Sequence, residues 1–391
     1  MPRPNRHAAL AATCLVTVAC LLSSCSATAP GSGAAVAGGS PAETLGTALR
    51  QLTHVTGGPP GALALVQIGN RVQTQTAGAA DLLSGRPIAP DDTIRIASVS
   101  KAFNGAVALA LVSDGRLSLD ATIGALLHGL PSAWGPVTLD QLLQHTSGLP
   151  DYTKSPAFLA ALQANPEASM TPTQLLSYAV GEPLLFPPGT RYDYSDTDNI
   201  VVGLMVESAT GTSYESALAA TVTTPLDLTG TTLPTGTALA SPFVHGYAID
   251  PGHPPEDVTD ALNPVLAWTS GGMVSTPSEL NTFLRAYVRG ALFDARTRAA
   301  QLRFVPGASG PPGPGTNAAG LALYRYETTC GTVYGHTGNY PGYTVFAAST
   351  LDGSRSAVVV VNEQLNDRSA TPAFTALRRV WGLAVCAAVH G

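Results

Sequence analysis

Ser98 and Lys101 lie three residues apart in Arg95-Ile-Ala-Ser-Val-Ser-Lys101, at the head of a run from Ala102 to Val112 that is apolar at nearly every position. Such a run predicts a helix buried on almost all sides and stopped by Asp114 and Gly115. Residues at this spacing share a helix face, so the amine can approach the hydroxyl. A serine hydroxyl becomes an effective nucleophile when a neighbouring base takes its proton. Lysine in a first helical turn opposes the local dipole, at a cost of about 0.3 to 1 kcal/mol. A capping serine also prefers Glu or Gln, not Lys, three residues on. The same dipole disfavours the ammonium and is expected to lower the amine's pKa toward that of a usable base. Breaches of local rules concentrate at functional sites. The chain has two lysines, Lys101 and Lys154, and only the first follows a serine in this way.

Two further stretches carry candidate groups. Pro187-Pro-Gly-Thr-Arg-Tyr-Asp-Tyr194-Ser-Asp196 leads into an apolar helix from Asn199 to Ala209, and Tyr334-Gly-His336-Thr337-Gly338-Asn339 runs through a Pro341-Gly342 turn into the next strand. With Ser98-Val-Ser-Lys101, they resemble, in order, the Ser-x-x-Lys, Tyr-x-Asn and Lys/His-Thr-Gly signatures of the penicillin-recognising serine hydrolases. His145-Thr-Ser-Gly-Leu-Pro150 and Ser270-Gly-Gly-Met-Val-Ser-Thr-Pro277 resemble recurring segments of the branch that holds serine D-alanyl-D-alanine carboxypeptidases, class C β-lactamases and related esterases. The resemblance runs from about Glu43 to the C-terminus.

The resemblance implies that Ser98 forms an acyl-enzyme while Lys101 accepts or relays its proton. Tyr194 would be a second proton-transfer group, ionising more easily close to the Lys101 charge. Backbone N–H groups of Ser98 and Asn339 would form an oxyanion hole, worth roughly 3 kcal/mol per donor. His336 and Thr337, followed by Gly338, would face the leaving side of the substrate. Asp196 stands where the pattern has Asn. Facing the site, it would favour the lysine's charged form and shift proton abstraction to Tyr194; equally, Ser195, Asp196 and Asp198 suit the cap and first turn of the following helix. His336 in place of lysine resembles the carboxypeptidase type, for which Arg325 is a candidate carboxylate partner; an exposed sheet arginine is the plainer reading. The function implied is D-alanyl-D-alanine carboxypeptidase action on peptidoglycan stem peptides, with acylation by β-lactams. A β-lactamase or esterase on the same scaffold, or a catalytically weak cell-wall-peptide binding protein, are the alternatives. No cofactor or metal is called for, since neither His-Glu-x-x-His nor His-x-His occurs.

The remaining chain sets the context. Its 391 residues, 45% hydrophobic and 12% charged, suit one large domain or two, and a net charge of -6 without a basic run argues against nucleic acid. Residues 1–24 read as a signal peptide whose Leu22-Ser-Ser-Cys25 end resembles a bacterial lipobox. Lipid on Cys25 would anchor a monomeric protein at the outer face of the cytoplasmic membrane, with 25–42 as a flexible tether and 43–391 as the hydrolase domain. Cys14 and Cys20 leave with the signal, so Cys330 and Cys386 are expected to pair, for about 4 kcal/mol. A helix from Glu43 to Val55 precedes strands Ala62 to Ile68 and Arg71 to Ala77 around Gly69-Asn70, with Val72, Thr74 and Thr76 alternating as a half-buried face. Helical patterns fill about 118–302 as an insertion. Val305 to Thr316 reads as an irregular, poorly ordered Pro/Gly loop. Strands return at Gly320 to Tyr326, Thr332 to His336, Tyr343 to Thr350 and Ser356 to Val361, and a helix from Pro372 to Ala388 closes the chain. The expected fold is α/β (α+β): one antiparallel sheet built from both ends of the chain, flanked by helices, with the site where the insertion meets it.

Overall fold

The computed structural model describes residues 41–366 and 371–391. The signal peptide, the tether and Cys25 lie outside the described residues. Helix α1 (Pro41–His54) leads into the hairpin β1 (Gly61–Ile68) and β2 (Arg71–Gly78), and the nucleophile region forms α2 (Ser100–Ser113). After several short helices come α3 (Asp196–Thr210) and α4 (Pro277–Val288). The chain then forms β3 (Val305–Pro306), β4 (Thr316–Ala319), β5 (Tyr324–Thr328), β6 (Gly331–Tyr340), β7 (Tyr343–Ser349), β8 (Arg355–Val361) and α5 (Pro372–His390). The eight strands make one antiparallel sheet in the order β2-β1-β8-β7-β6-β5-β4-β3, so the chain's two ends meet where β1 pairs β8.

Period-two alternation divides this sheet between two cores. Ala62, Ala64, Phe346, Val359 and Val361 face Leu45, Leu49 and Leu52 of α1 and Leu377, Trp381 and Val385 of α5. Leu63, Leu65, Val345, Val358 and Val360 face α2 and α4, where Phe103 stacks on Phe283 at 3.6 Å between ring centroids. Fourteen residues of α2 are sandwiched between sheet and insertion, and Ser100 through Leu111 are all buried. Cys330, before β6, is joined by a disulfide to Cys386 of α5.

Some local expectations need correction. On β2 it is Val72, Thr74 and Thr76 that face outward, Val72 being 50% exposed; Ala77 belongs to the buried face, because β2 is the sheet's edge strand. Gly320 to Leu323 interrupts the expected strand: Ala322 has φ 51° and its N–H bonds Leu143 O at 2.8 Å, which ties the sheet to the insertion. The Pro/Gly stretch is pinned at Ser309 and Pro311 by hydrogen bonds with Thr337. α4 packs on β7 and β8, so the sheet layer resumes at Pro277, within the range expected for the insertion.

Candidate active site

Ser98 sits in a tight turn, Ala97–Val99, that precedes α2, and no side chain caps either element. Ala97 has φ 50°, a left-handed conformation that costs a non-glycine residue about 1 kcal/mol or more. Contacts from two sides hold the turn. Ser100 Oγ donates to Ala97 O at 2.6 Å and accepts from Met273 N at 3.2 Å, while Ile94–Arg95 pairs with Val274–Ser275. From the sheet side, a Cβ on Gly338 would lie 2.4 Å from Ile96 O and 3.1 Å from Ser98 N. Glycine is therefore required for β6 to approach the nucleophile's backbone.

Lys101 Nζ donates to Ser98 Oγ at 3.1 Å, to Asp196 Oδ1 at 2.6 Å and to Ser270 O at 2.6 Å. Three acceptors match the three N–H bonds of an ammonium. The lysine side chain is 1% exposed, whereas Asp196 shows 23% of its side chain. Asp196 thus faces the site as an ion-pair partner. Burial raises the Asp196 pKa, but the Lys101 charge and hydrogen bond outweigh it and hold the carboxyl below its ordinary value. The Tyr194 ring lies 4.8 Å from Lys101 Nζ. Its buried hydroxyl makes no well-formed hydrogen bond among the described residues. Burial, then the negative charge of Asp196, push the phenol well above its usual pKa against a weaker pull from Ser98, so the expectation of easier ionisation fails.

Strand alternation places His336 on the Ser98 side of β6 and Thr337 on the other. Both are fully buried, and neither lines the cavity beside Ser98, contrary to the expectation that they face substrate. Burial drives the His336 pKa down to about 3, so the ring is neutral; it packs edge-on to Tyr324 at 4.9 Å. Thr337 Oγ1 donates to Pro311 O at 2.6 Å. Asn339 does line the cavity, and its amide is fixed by Thr344 Oγ1 and Leu365 O. Arg325 is not brought to the site. Its guanidinium pairs with Glu327 at 3.0 Å and lies over Phe304.

The cavity, about 100 Å³, is lined at one end by Ser98, Asp196, Ser270 and Asn339 and elsewhere by Tyr152, Phe158, Leu162, Leu262, Leu266 and Tyr340. The apolar wall carries no motif of its own, and the Ser270 segment, though it resembles a recurring family segment, does not announce the role of its carbonyl. Beneath Tyr194 lies a second group with no chemistry assigned to it from the sequence. His145, with φ 57°, stacks on Tyr194 at 4.6 Å; its Nδ1 lies 3.0 Å from Asp198 Oδ2 and receives the Ser195 N–H at 3.3 Å, while Ser147 Oγ donates to Asp198 Oδ1 at 2.5 Å. Burial raises the Asp198 carboxyl well above its ordinary pKa and lowers His145 to about 3, so both partners of this contact are favoured in their neutral forms. The network is a neutral buried pair that fixes the Tyr194–Asp196 segment.

A family model described as Beta-lactamase matches residues 47–380. The chain belongs to the Beta-lactamase family. It is therefore an enzyme of the β-lactamase-fold serine hydrolases. Among solved structures, a D-stereospecific amidohydrolase from Streptomyces sp. is 30% identical with a TM-score of 0.74, covering 84% of this chain and 96% of its own. A D-amino acid amidase from Ochrobactrum anthropi SV3, complexed with D-phenylalanine, is 23% identical with a TM-score of 0.76, covering 88% and 99%, and shares the fold. A D-aminopeptidase of Cereibacter sphaeroides is 27% identical over 85% of this chain; the chain spans 62% of that relative's length.

Proposed function

We propose that this β-lactamase-family hydrolase cleaves amide bonds next to a D-amino acid residue through an acyl-enzyme on Ser98. The observation that carries the reading is the hydroxyl–ammonium–carboxylate chain Ser98–Lys101–Asp196 opening on a cavity that is mostly apolar. In the reaction, Ser98 Oγ attacks the carbonyl carbon and its proton passes to Lys101 as Lys101 yields one along the 2.6 Å contact to Asp196. The oxyanion is met by the backbone N–H groups of Ser98 and Asn339. Tyr194, kept protonated by burial and by the charge of Asp196, gives its proton to the leaving nitrogen and regains one through Lys101. Water then repeats the sequence on the ester.

D-stereospecific relatives favour this reading over D-alanyl-D-alanine carboxypeptidase action. A carboxypeptidase must grip a free terminal carboxylate, yet among the described residues lining the cavity there is no arginine or lysine, and Arg325 is engaged elsewhere. Steady-state hydrolysis of D- and L-phenylalanine amide, followed by release of ammonia, tests the proposal. The D-amide is expected to react at least about 100-fold faster in kcat/KM. Equal rates, or cleavage confined to acyl-D-Ala-D-Ala peptides, would overturn it.

A further inference from the structure

We propose that Asp196 anchors the α-ammonium of an unacylated aminoacyl substrate, so that the enzyme selects free amino termini over N-acylated ones. This rests on the acyl-enzyme reading above and adds the chemical class of the group beside the scissile carbonyl.

Asp196 lines the same cavity as Ser98, and both are bonded to the single nitrogen of Lys101. A substrate whose carbonyl carbon meets Ser98 Oγ therefore brings its α-nitrogen, two bonds away, beside that carboxylate. An ionised carboxylate only accepts hydrogen bonds, so it attracts an ammonium and repels the carbonyl oxygen of an acylamino group. An amide side chain at the same position would offer N–H donors and invert that preference. Lys154, the chain's other lysine, is held by Asp151 at 3.5 Å and Asp193 at 3.8 Å, so Lys101 is the lysine on Asp196. The 23% of Asp196 that remains exposed gives the incoming group access.

The test is a grid of four substrates, D- and L-phenylalanine p-nitroanilide and their N-acetyl derivatives, assayed with the purified wild-type protein and with Asp196→Asn and Asp196→Glu. The wild type is expected to prefer the free amine at least about 100-fold in kcat/KM. Asp196→Asn should shrink that ratio at least about tenfold, while Asp196→Glu keeps part of it. Because each ratio is internal to one variant, any misalignment of Lys101 cancels. An unchanged ratio in Asp196→Asn, or a wild-type preference for the acetylated substrates, would overturn the proposal. Equal turnover of D and L substrates with the amine preference intact would reject the D-selective reading and leave the role of Asp196 standing. Failure to turn over any of the four, with Ser98 still labelled by a fluorophosphonate, would reject both.

Discussion

Asp196 and Asp198 stand two residues apart in the first turn of α3, yet one is ionised and the other neutral. Asp196 opens onto the cavity and is held ionised by Lys101. Asp198 is fully buried, keeps its proton and joins His145 to Ser147. Both favour the positive end of a helix in principle, and neither has Ser195 as a side-chain cap beside it. What separates them is the surroundings: a neighbouring ammonium for one, an imidazole and a hydroxyl in an apolar pocket for the other. One carboxyl takes part in chemistry and the other builds the floor beneath it.

The contrast can be broken from either side. The largest effect is expected at the catalytic end, where Ser98→Ala should lower kcat/KM by at least about 1,000-fold while the melting temperature stays near the wild-type value. Asp198→Ala should act in the opposite sense, destabilising the fold by about 3 kcal/mol in urea unfolding by stranding buried His145 and Ser147. Asp196→Ala should cost far more activity than Asp198→Ala, since it removes the counter-ion of Lys101. Next comes pH. His145 and His336 are buried neutral with pKa values of about 3, against 6.5 when unfolded. Between those values the unfolded state binds protons that the folded state refuses, so stability should fall as pH drops from 6.5 toward 3. Melting temperatures across that range check the sign, and a flat profile would contradict it. The smallest effect is expected for Arg325→Ala, within about threefold in kcat/KM, because an exposed pair with Glu327 is worth little.

Much of this arrangement is legible in the sequence because local rules are broken there. A lysine at a helix start and a Tyr-x-Asp before an apolar helix mark two sides of the cleft, and the glycine of His-Thr-Gly marks the third, where backbone meets backbone. The alternation of the terminal strands also gives the sheet its layers. The Ser270 carbonyl, the Tyr152–Phe158–Leu162 wall and the neutral state of Asp198 are not legible, since each depends on which distant segment packs against it. Arg325 went astray for a simpler reason: Glu327 and Phe304, its neighbours in the fold, hold its guanidinium away from the site. The buried His336 shows the same limit, as its type suggested contact with substrate while its burial makes it a packing partner of Tyr324.

The most direct test of the central claim is mass spectrometry of protein quenched in acid during turnover of a D-phenylalanine ester. The account predicts a D-phenylalanyl adduct on the peptide containing Ser98, absent from Ser98→Ala. No adduct in the wild type, or one that survives Ser98→Ala, would contradict it.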